Sequence, residues 1–269
     1  MVSQIDRGFG EKFLRSIDNF YAHGVDWLFN EWWETASADA IAKYEAAILD
    51  HPEHGPLARE GWLAPDFRLA LLDGFGPGTL GHAYRAFMID NNLVEELAAG
   101  YHARHDELAR SGKIDRMPLA LAYKVLRGFQ THDLHHVLTG YPATPLGELA
   151  IQAFQLAQMD FPYAAMWIAV VTGHMALVDP LLIKPAMDAI TDGWSLGRAA
   201  RSVQFVKFED RLGEPLLAIR AEYGLLRAPC TISETPRDKT PELLKAATYP
   251  ASPQPDCAGS TDDAWCSRA

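Results

Sequence analysis

The sequence predicts an all-α fold built as a single helical domain. Apolar residues recur at helical spacing along most of the 269 residues, and stretches that alternate apolar and polar side chains are rare. Clusters rich in proline and glycine separate the periodic stretches, as in HPEHGP at 51–56 and DGFGPG at 73–78. After Arg227 the periodicity stops. We therefore expect one helical domain over residues 1–227 and a flexible, proline-rich tail over 228–269.

Helical spacing and turn residues together predict eight helices. Their ranges are 10–34, 38–49, 79–107, 117–138, 145–160, 162–176, 180–191 and 194–227. The run from Phe161 to Val178 is the most apolar of them and has about the minimum length for crossing a bilayer. Its proline, threonine, glycine and histidine lower its hydrophobicity, so we predict a buried central helix instead.

Composition and charge exclude several classes of protein. The chain carries 24 basic and 35 acidic residues, a formal net charge of −11, whereas nucleic-acid binding requires clustered surplus Lys and Arg. The three cysteines, at 230, 257 and 266, all lie in the predicted tail, which indicates a reducing compartment and no disulfide framework. The N-terminal residues resemble neither a secretory signal nor a transit peptide.

Candidate metal ligands lie in the segment THDLHHVLTGYPATPLGELAIQAF, which starts at Thr131. On an ideal helix His132 and His136 lie about 40° apart, and Asp133 lies about 60° beyond His136. These three side chains therefore share one arc. The same spacing continues upstream through apolar residues, at Ala122, Val125 and Phe129. The two histidines are thus expected on the buried stripe of this helix.

Burying two imidazoles and a carboxylate costs free energy unless each group has a partner. One metal ion would bind all three. The chain turns at Gly140 and Pro142, and a second helix can begin with Thr144 as its N-cap. An antiparallel hairpin would then return Glu148 towards the first helix. Two imidazole nitrogens and two carboxylates suit Zn²⁺ best, and Fe²⁺, Mn²⁺ or Co²⁺ less well.

A purely structural interpretation of this segment stays open, because H-D-x-x-H is a short pattern. In that interpretation His132 and His136 are hydrogen-bonded core residues, and Asp133 lies on the helix surface. Gln152 and Gln155 share a helix face with Glu148 and could line a site, but we predict that they form a solvated polar face.

From His132 to Glu148 the sequence has the pattern H-D-x-x-H, followed by eleven residues and a glutamate. This pattern resembles the metal motif of the Coq-four family of ubiquinone (coenzyme Q) biosynthesis proteins. The segment GPGTLGHAYRAFMIDNNL at 76–93 is similar to the family's upstream P-x-G-T-L-G segment, although the residue between Pro77 and Gly78 is missing here. The closing stretch LGRAARSVQFVKFEDRLGEPLLAIRAEYGL at 196–225 is also similar. The resemblance covers roughly residues 10–226.

The resemblance implies an all-α, metal-binding protein of ubiquinone synthesis. Its family is assigned removal of the ring carboxyl from a polyprenylated 4-hydroxybenzoate-type acid, in some accounts with hydroxylation of the same carbon. The metal ligands carried over from the family are His132, Asp133, His136 and Glu148. A metal-dependent carboxy-lyase is therefore the leading expectation, with Zn²⁺ as its cofactor. The resemblance also implies a protein on the membrane surface, which we expect on the inner face of the cell membrane.

Three further residues are weaker candidates for the reaction. His135 neighbours the expected ligands but points about 160° away from Asp133. It is a weak candidate for an acid or base, and a supporting or surface role is the preferred interpretation. Arg198 and Arg201 could bind a substrate carboxylate through their planar guanidinium groups, although a solvated face is the simpler explanation.

Two alternatives to the enzyme stay open. A non-enzymatic scaffold could hold the same metal as a structural ion, organise other ubiquinone-biosynthesis proteins and bind prenylated intermediates. A hydrolase of the His-Asp phosphohydrolase kind would need another histidine and another aspartate, which no motif here identifies. The expected partners are the prenylated ring acid, other proteins of the pathway and the membrane surface, with a homodimer also considered.

Overall fold

The computed structural model describes residues 6–18, 32–65, 69–93, 110 and 112–226. Within these ranges the chain forms helices and no β-strand, with one isolated bridge between Thr79 and Pro215. The predicted all-α class is therefore confirmed. The expected tail, including its three cysteines, lies outside the described residues.

Residues 32–35 form a helical turn, and ten further α-helices have a defined range within the described part of the chain. They are α1 (Arg7–Asp18), α2 (Ala38–Asp50), α3 (Gly55–Glu60), α4 (Leu80–Asp90), α5 (Lys113–Arg116), α6 (Leu119–Thr139), α7 (Pro145–Met159), α8 (Pro162–Val178), α9 (Ile183–Ala199) and α10 (Leu216–Tyr223). Short 3₁₀ turns occupy Leu69–Leu72, Pro180–Leu182 and Phe208–Arg211. The helices predicted at 38–49, 117–138, 145–160 and 162–176 match α2, α6, α7 and α8 within two residues.

Two predicted helices near the end of the domain are wrong. The break expected after residue 191 does not occur, because α9 runs without interruption through Gly193. The single helix expected over 194–227 ends at Ala199 and resumes only at Leu216, after Pro215. The backbone between them bonds to side chains elsewhere instead, since the Glu53 carboxylate accepts from Ser202 N–H and the Gln158 amide oxygen accepts from Val203 N–H.

The turn between α6 and α7 is built from specific backbone requirements. Gly140 ends α6 in the left-handed region, at φ 78°. The Arg220 guanidinium on α10 donates to the carbonyl oxygens of Val137 and Leu138, which are among the last unpaired acceptors of α6. Thr144 then caps α7 by accepting the Gly147 N–H. The predicted helical hairpin is therefore present.

Helices α7 and α9 approach closely through small residues. A side chain carbon added at Gly193 would lie 2.0 Å from the carbonyl oxygen of Ala150, and one added at Gly197 would lie 2.6 Å from that of Phe154. Real side chains do not tolerate such distances, so this contact requires glycine at both positions. The glycine pair thereby fixes the position of α7, which carries Glu148.

Helix α8 packs one face into the core, with Ala164 and Val170 fully buried, while Leu177 and Val178 at its end are exposed. His174 of α8 is half-buried, and its Nδ1 lies 2.8 Å from the carbonyl oxygen of Ile17 in α1. Of the helices in the described ranges, none combines the length and the hydropathy that a bilayer crossing requires.

Candidate metal centre

Three side chains converge at the turn between α6 and α7. His132 Nε2 lies 3.3 Å from Glu148 Oε2, and His136 Nε2 lies 3.2 Å from Glu148 Oε1. The two Nε2 atoms lie 3.3 Å apart. Each side chain thus presents one ligand atom to a common point, and the three ligand atoms lie within 4.8 Å of one another. These residues could hold a metal ion.

The spacing of the ligand atoms fits a small divalent ion. Zinc binds imidazole nitrogen and carboxylate oxygen at about 2.0–2.1 Å with tetrahedral angles, which places neighbouring ligand atoms about 3.3–3.4 Å apart. The two Nε2 atoms lie 3.3 Å apart, which agrees with that spacing, and each of them lies within 3.3 Å of one of the two Glu148 oxygens. Two neutral imidazoles and one carboxylate also form a common zinc ligand set.

The neighbours of His136 orient its ring. The carbonyl oxygen of Tyr141 lies 3.1 Å from His136 Nδ1, and because a carbonyl only accepts, Nδ1 carries the proton in this contact. Nε2 is then left with its lone pair for a metal. The Tyr141 hydroxyl donates to Asp192 Oδ2 on α9 at 2.7 Å. The Phe87 ring of α4 stacks on the imidazole of His136, with ring centroids 5.4 Å apart.

Electrostatics at the site favour an ionised carboxylate. Burial alone would raise the pKa of Glu148, but His136 and His132 outweigh it and hold that pKa well below its usual range. Burial alone would lower the pKa of His132, yet the Glu148 carboxylate outweighs it and raises that pKa. Without metal the group therefore shares protons between imidazole and carboxylate. A divalent cation has to displace them, so its affinity increases with pH.

Comparison with known proteins gives this site its context. The family model described as "Coenzyme Q (ubiquinone) biosynthesis protein Coq4" matches residues 64–229, more than half of the chain.

The chain belongs to the Coq4 family.

Relatives in the Coq4 family are distant but match over much of their length. The chain is 26% identical over 226 residues to the mitochondrial ubiquinone biosynthesis protein COQ4 homolog of Danio rerio, covering 81% of this chain and 75% of that protein. It is 27% identical over 203 residues to the Xenopus tropicalis homolog, covering 73% and 65%. A Nostoc punctiforme protein with a proposed role in ubiquinone biosynthesis has the same fold, with a TM-score of 0.64 at 21% identity over 81% of this chain and 97% of that chain.

Of the four ligands carried over from the Coq4 motif, the structure brings three together. Asp133 is half-buried and lies outside the group formed by His132, His136 and Glu148. Its charge nevertheless reaches the site, since it contributes to the raised pKa of His132. The role of Asp133 as a fourth ligand stays a prediction.

The Asp133→Asn variant tests whether Asp133 is a fourth metal ligand or only a charge near the site. We expect metal affinity to fall about tenfold, as for residues that support a site from outside the ligand shell. The measurement is a competition titration of the metal-free protein with Zn²⁺ and a chromogenic chelator. A loss as large as that of His136→Ala would instead assign Asp133 to the ligand shell.

The structure corrects two expectations about polar residues near the motif. His135 is 1% exposed, so it is not a surface residue. Gln152 and Gln155 are also buried, so the predicted solvated face is wrong. All three side chains point into the protein because α6 and α7 are covered on several sides by other helices of this Coq4-family fold. A catalytic role for His135 stays a prediction.

Neither arginine proposed for substrate binding is buried. Arg198 is exposed, and the exposed Arg201 pairs with the protein's own Glu53, with Nε 3.1 Å from Oε1. Their substrate role stays a prediction. No pattern in the sequence singles out Phe87 or the Tyr141 carbonyl, although Phe87 lies in the segment that resembles the Coq4 family. The burial of Lys124 is likewise visible only in the tertiary structure.

Proposed function

We propose that this member of a ubiquinone-biosynthesis family is a metal-dependent decarboxylase of a polyprenylated 4-hydroxybenzoate-type ring acid. The observation that carries the proposal is the convergence of His132, His136 and Glu148 on one point. Three protein ligands are typical of catalytic zinc sites, which keep one position open, whereas structural sites have four. With Asp133 outside the group, the count of three ligands favours the enzyme over the scaffold.

Decarboxylation needs two contributions that such a site supplies. Breaking the bond between the ring and the carboxyl carbon leaves an electron pair on the ring carbon. A proton must then bind to that carbon. A bound divalent ion, for which we propose Zn²⁺, acts as a Lewis acid that polarises and orients substrate oxygens. Tyr141 holds His136 in the tautomer that the ion requires, and the half-buried Phe87 limits access of water to the imidazole.

A prenylated substrate dissolves in the membrane, so we also propose that the protein works at a membrane surface, on its cytoplasmic side. A net charge of −11 opposes simple attraction to anionic lipid. Apolar surface is the alternative means of attachment. Leu177 and Val178 are exposed at the end of α8, and Leu181 is exposed in the 3₁₀ turn that follows. Other proteins of ubiquinone biosynthesis and a second copy of this chain remain proposed partners.

Gene deletion in the host tests the proposed reaction. We expect a prenylated ring acid that still carries its carboxyl to accumulate, and His132→Ala should fail to restore quinone. His82→Ala is the matched control, because His82 is exposed on α4 and should restore quinone fully. Extracted lipids are measured by mass spectrometry.

Purified protein decides between the enzyme and the scaffold. With metal and dioxygen added, the accumulated acid should lose carbon dioxide. The mass of the product shows whether a proton or, with dioxygen as the oxidant, a hydroxyl group replaces the carboxyl. Restoration of quinone by His132→Ala would refute a metal-dependent function. Absence of turnover by a fully metal-loaded protein, with His132→Ala still inactive in the host, would support the scaffold.

A further inference from the structure

The turn after α6 holds a buried tyrosine whose side chain reaches a third helix. Tyr141 is 1% exposed and belongs to a core cluster that includes Leu149 of α7, Val170 of α8 and Ala186 of α9. Its hydroxyl group donates to Asp192 Oδ2 on α9 at 2.7 Å. A buried phenol needs a hydrogen-bond partner, and hydrogen bonds to a carboxylate are stronger than those to neutral acceptors. Asp192 therefore helps to fix the position of the Tyr141 ring.

The backbone of the same tyrosine contacts the metal-ligand group. The carbonyl oxygen of Tyr141 lies 3.1 Å from Nδ1 of His136, while its N–H donates to the Thr139 hydroxyl over a long 3.4 Å. A tyrosine ring is joined to its backbone through only two rotatable bonds. A ring that is held at its hydroxyl end therefore leaves the carbonyl less freedom to move. The bond to Asp192 thereby restricts where the carbonyl lies relative to His136.

The position of the Tyr141 carbonyl decides which nitrogen of His136 is available to a metal. A neutral imidazole carries its proton on one nitrogen or the other. Because the carbonyl oxygen only accepts, it stabilises the proton on Nδ1 and leaves a lone pair on Nε2. That Nε2 atom lies 3.2 Å from Glu148 Oε1, within the ligand group. If the carbonyl moves away, the proton can shift to Nε2 and block metal binding.

We propose that Asp192 is a positioning residue for the metal ligand His136, which it orients through Tyr141. It lies on a third helix, α9, whereas the three ligands lie on α6 and α7. The adjacent Gly193 brings the backbone of α9 against Ala150 of α7, so the packing of these two helices places the carboxylate. That the ion serves decarboxylation rests on the proposed function. The orientation of His136 itself requires neither ion nor turnover.

Exchange of the His136 Nδ1 proton with solvent, followed by NMR in the metal-free, full-length protein, tests the orientation directly. Asp192→Ala should exchange this proton about tenfold faster, because loss of a hydrogen bond to a charged group eases local opening by about that factor. Asp192→Asn keeps an oxygen acceptor for the phenol and should restore most of the protection. An unchanged exchange rate in folded Asp192→Ala would refute the proposal, even if the melting temperature of that variant were lower.

A double-mutant cycle on zinc affinity tests whether Asp192 acts through Tyr141. Asp192→Ala and Tyr141→Phe should each lower the affinity about tenfold, and the double variant should lose no more than either single variant. Asp188→Ala is the matched control, because Asp188 is exposed one turn earlier on α9, and it should leave the affinity unchanged. Losses that add in the double variant would overturn the proposal. Absence of zinc from the wild type would refute the metal-dependent function, while the proton exchange would still decide whether Asp192 orients His136.

Discussion

A His136→Ala chain is expected to lose its divalent ion. His136 contributes one of three ligand atoms and lies 3.2 Å from Glu148 Oε1, so its removal leaves two ligands and a buried carboxylate with one partner fewer. Changes to outer partners of zinc ligands cost about 10–100-fold in affinity, and loss of a ligand should cost more. Elemental analysis of protein purified without chelator should fall from about one zinc per chain to a trace.

His82→Ala again serves as the control, because it removes an exposed histidine of the same chain and should keep the full metal content. Circular dichroism of both variants checks that the helices persist. Stoichiometric zinc in folded His136→Ala, or its absence from the wild type, would refute the metal site.

Gly193→Ala is expected to destabilise the fold strongly. The added methyl group would lie 2.0 Å from the Ala150 carbonyl oxygen, and the backbone of α7 cannot yield as a flexible side chain does. Overpacking of this kind costs at least about 2 kcal/mol of unfolding free energy. Zinc affinity should fall as well, since α7 carries Glu148 and the neighbouring Asp192 holds Tyr141. Urea denaturation and the zinc titration measure the two effects.

Gly173→Ala provides the matched control in α8. The nearest atom there belongs to the Ile17 side chain at 3.4 Å, an ordinary contact, and alanine is the better helix former by about 1 kcal/mol. This variant should be neutral or stabilising, with unchanged zinc affinity. Equal stability of the two variants would mean that α7 and α9 separate without cost.

Local chemistry explains why the metal hairpin could be predicted from sequence. Gly140, Thr144 and Pro145 each act on backbone within four residues, so their effects do not depend on the rest of the fold. The angle between His132 and His136 follows from helix geometry alone. The role of Asp133 is harder to predict, because helix geometry places its carboxylate at the edge of the arc that the two histidines share. There the rotamer of Asp133 decides whether its carboxylate joins the ligand group.

Features that depend on distant partners could not be predicted in the same way. The sequence predicts a solvated Gln152, because nothing in its own helix shows which faces other helices cover. The chain after Ala199 leaves the helix because Glu53 and Gln158 accept its N–H groups, and both lie more than forty residues away. Lysine side chains are usually exposed, so the sequence alone suggests that Lys124 lies on the surface. Only the packing around Phe161 reveals that it is buried.

The three converging ligands come from a single stretch, from His132 to Glu148, that already turns back on itself. A metal ion that joins them closes only a short loop. Closing a short loop removes less chain entropy than closing a long one. The ion therefore ties together residues that are neighbours in sequence, and it adds little to the association of distant helices. Assembly of the helical domain and loading of the site are, on this basis, largely separable events, so one folded chain can exchange its ion without being rebuilt.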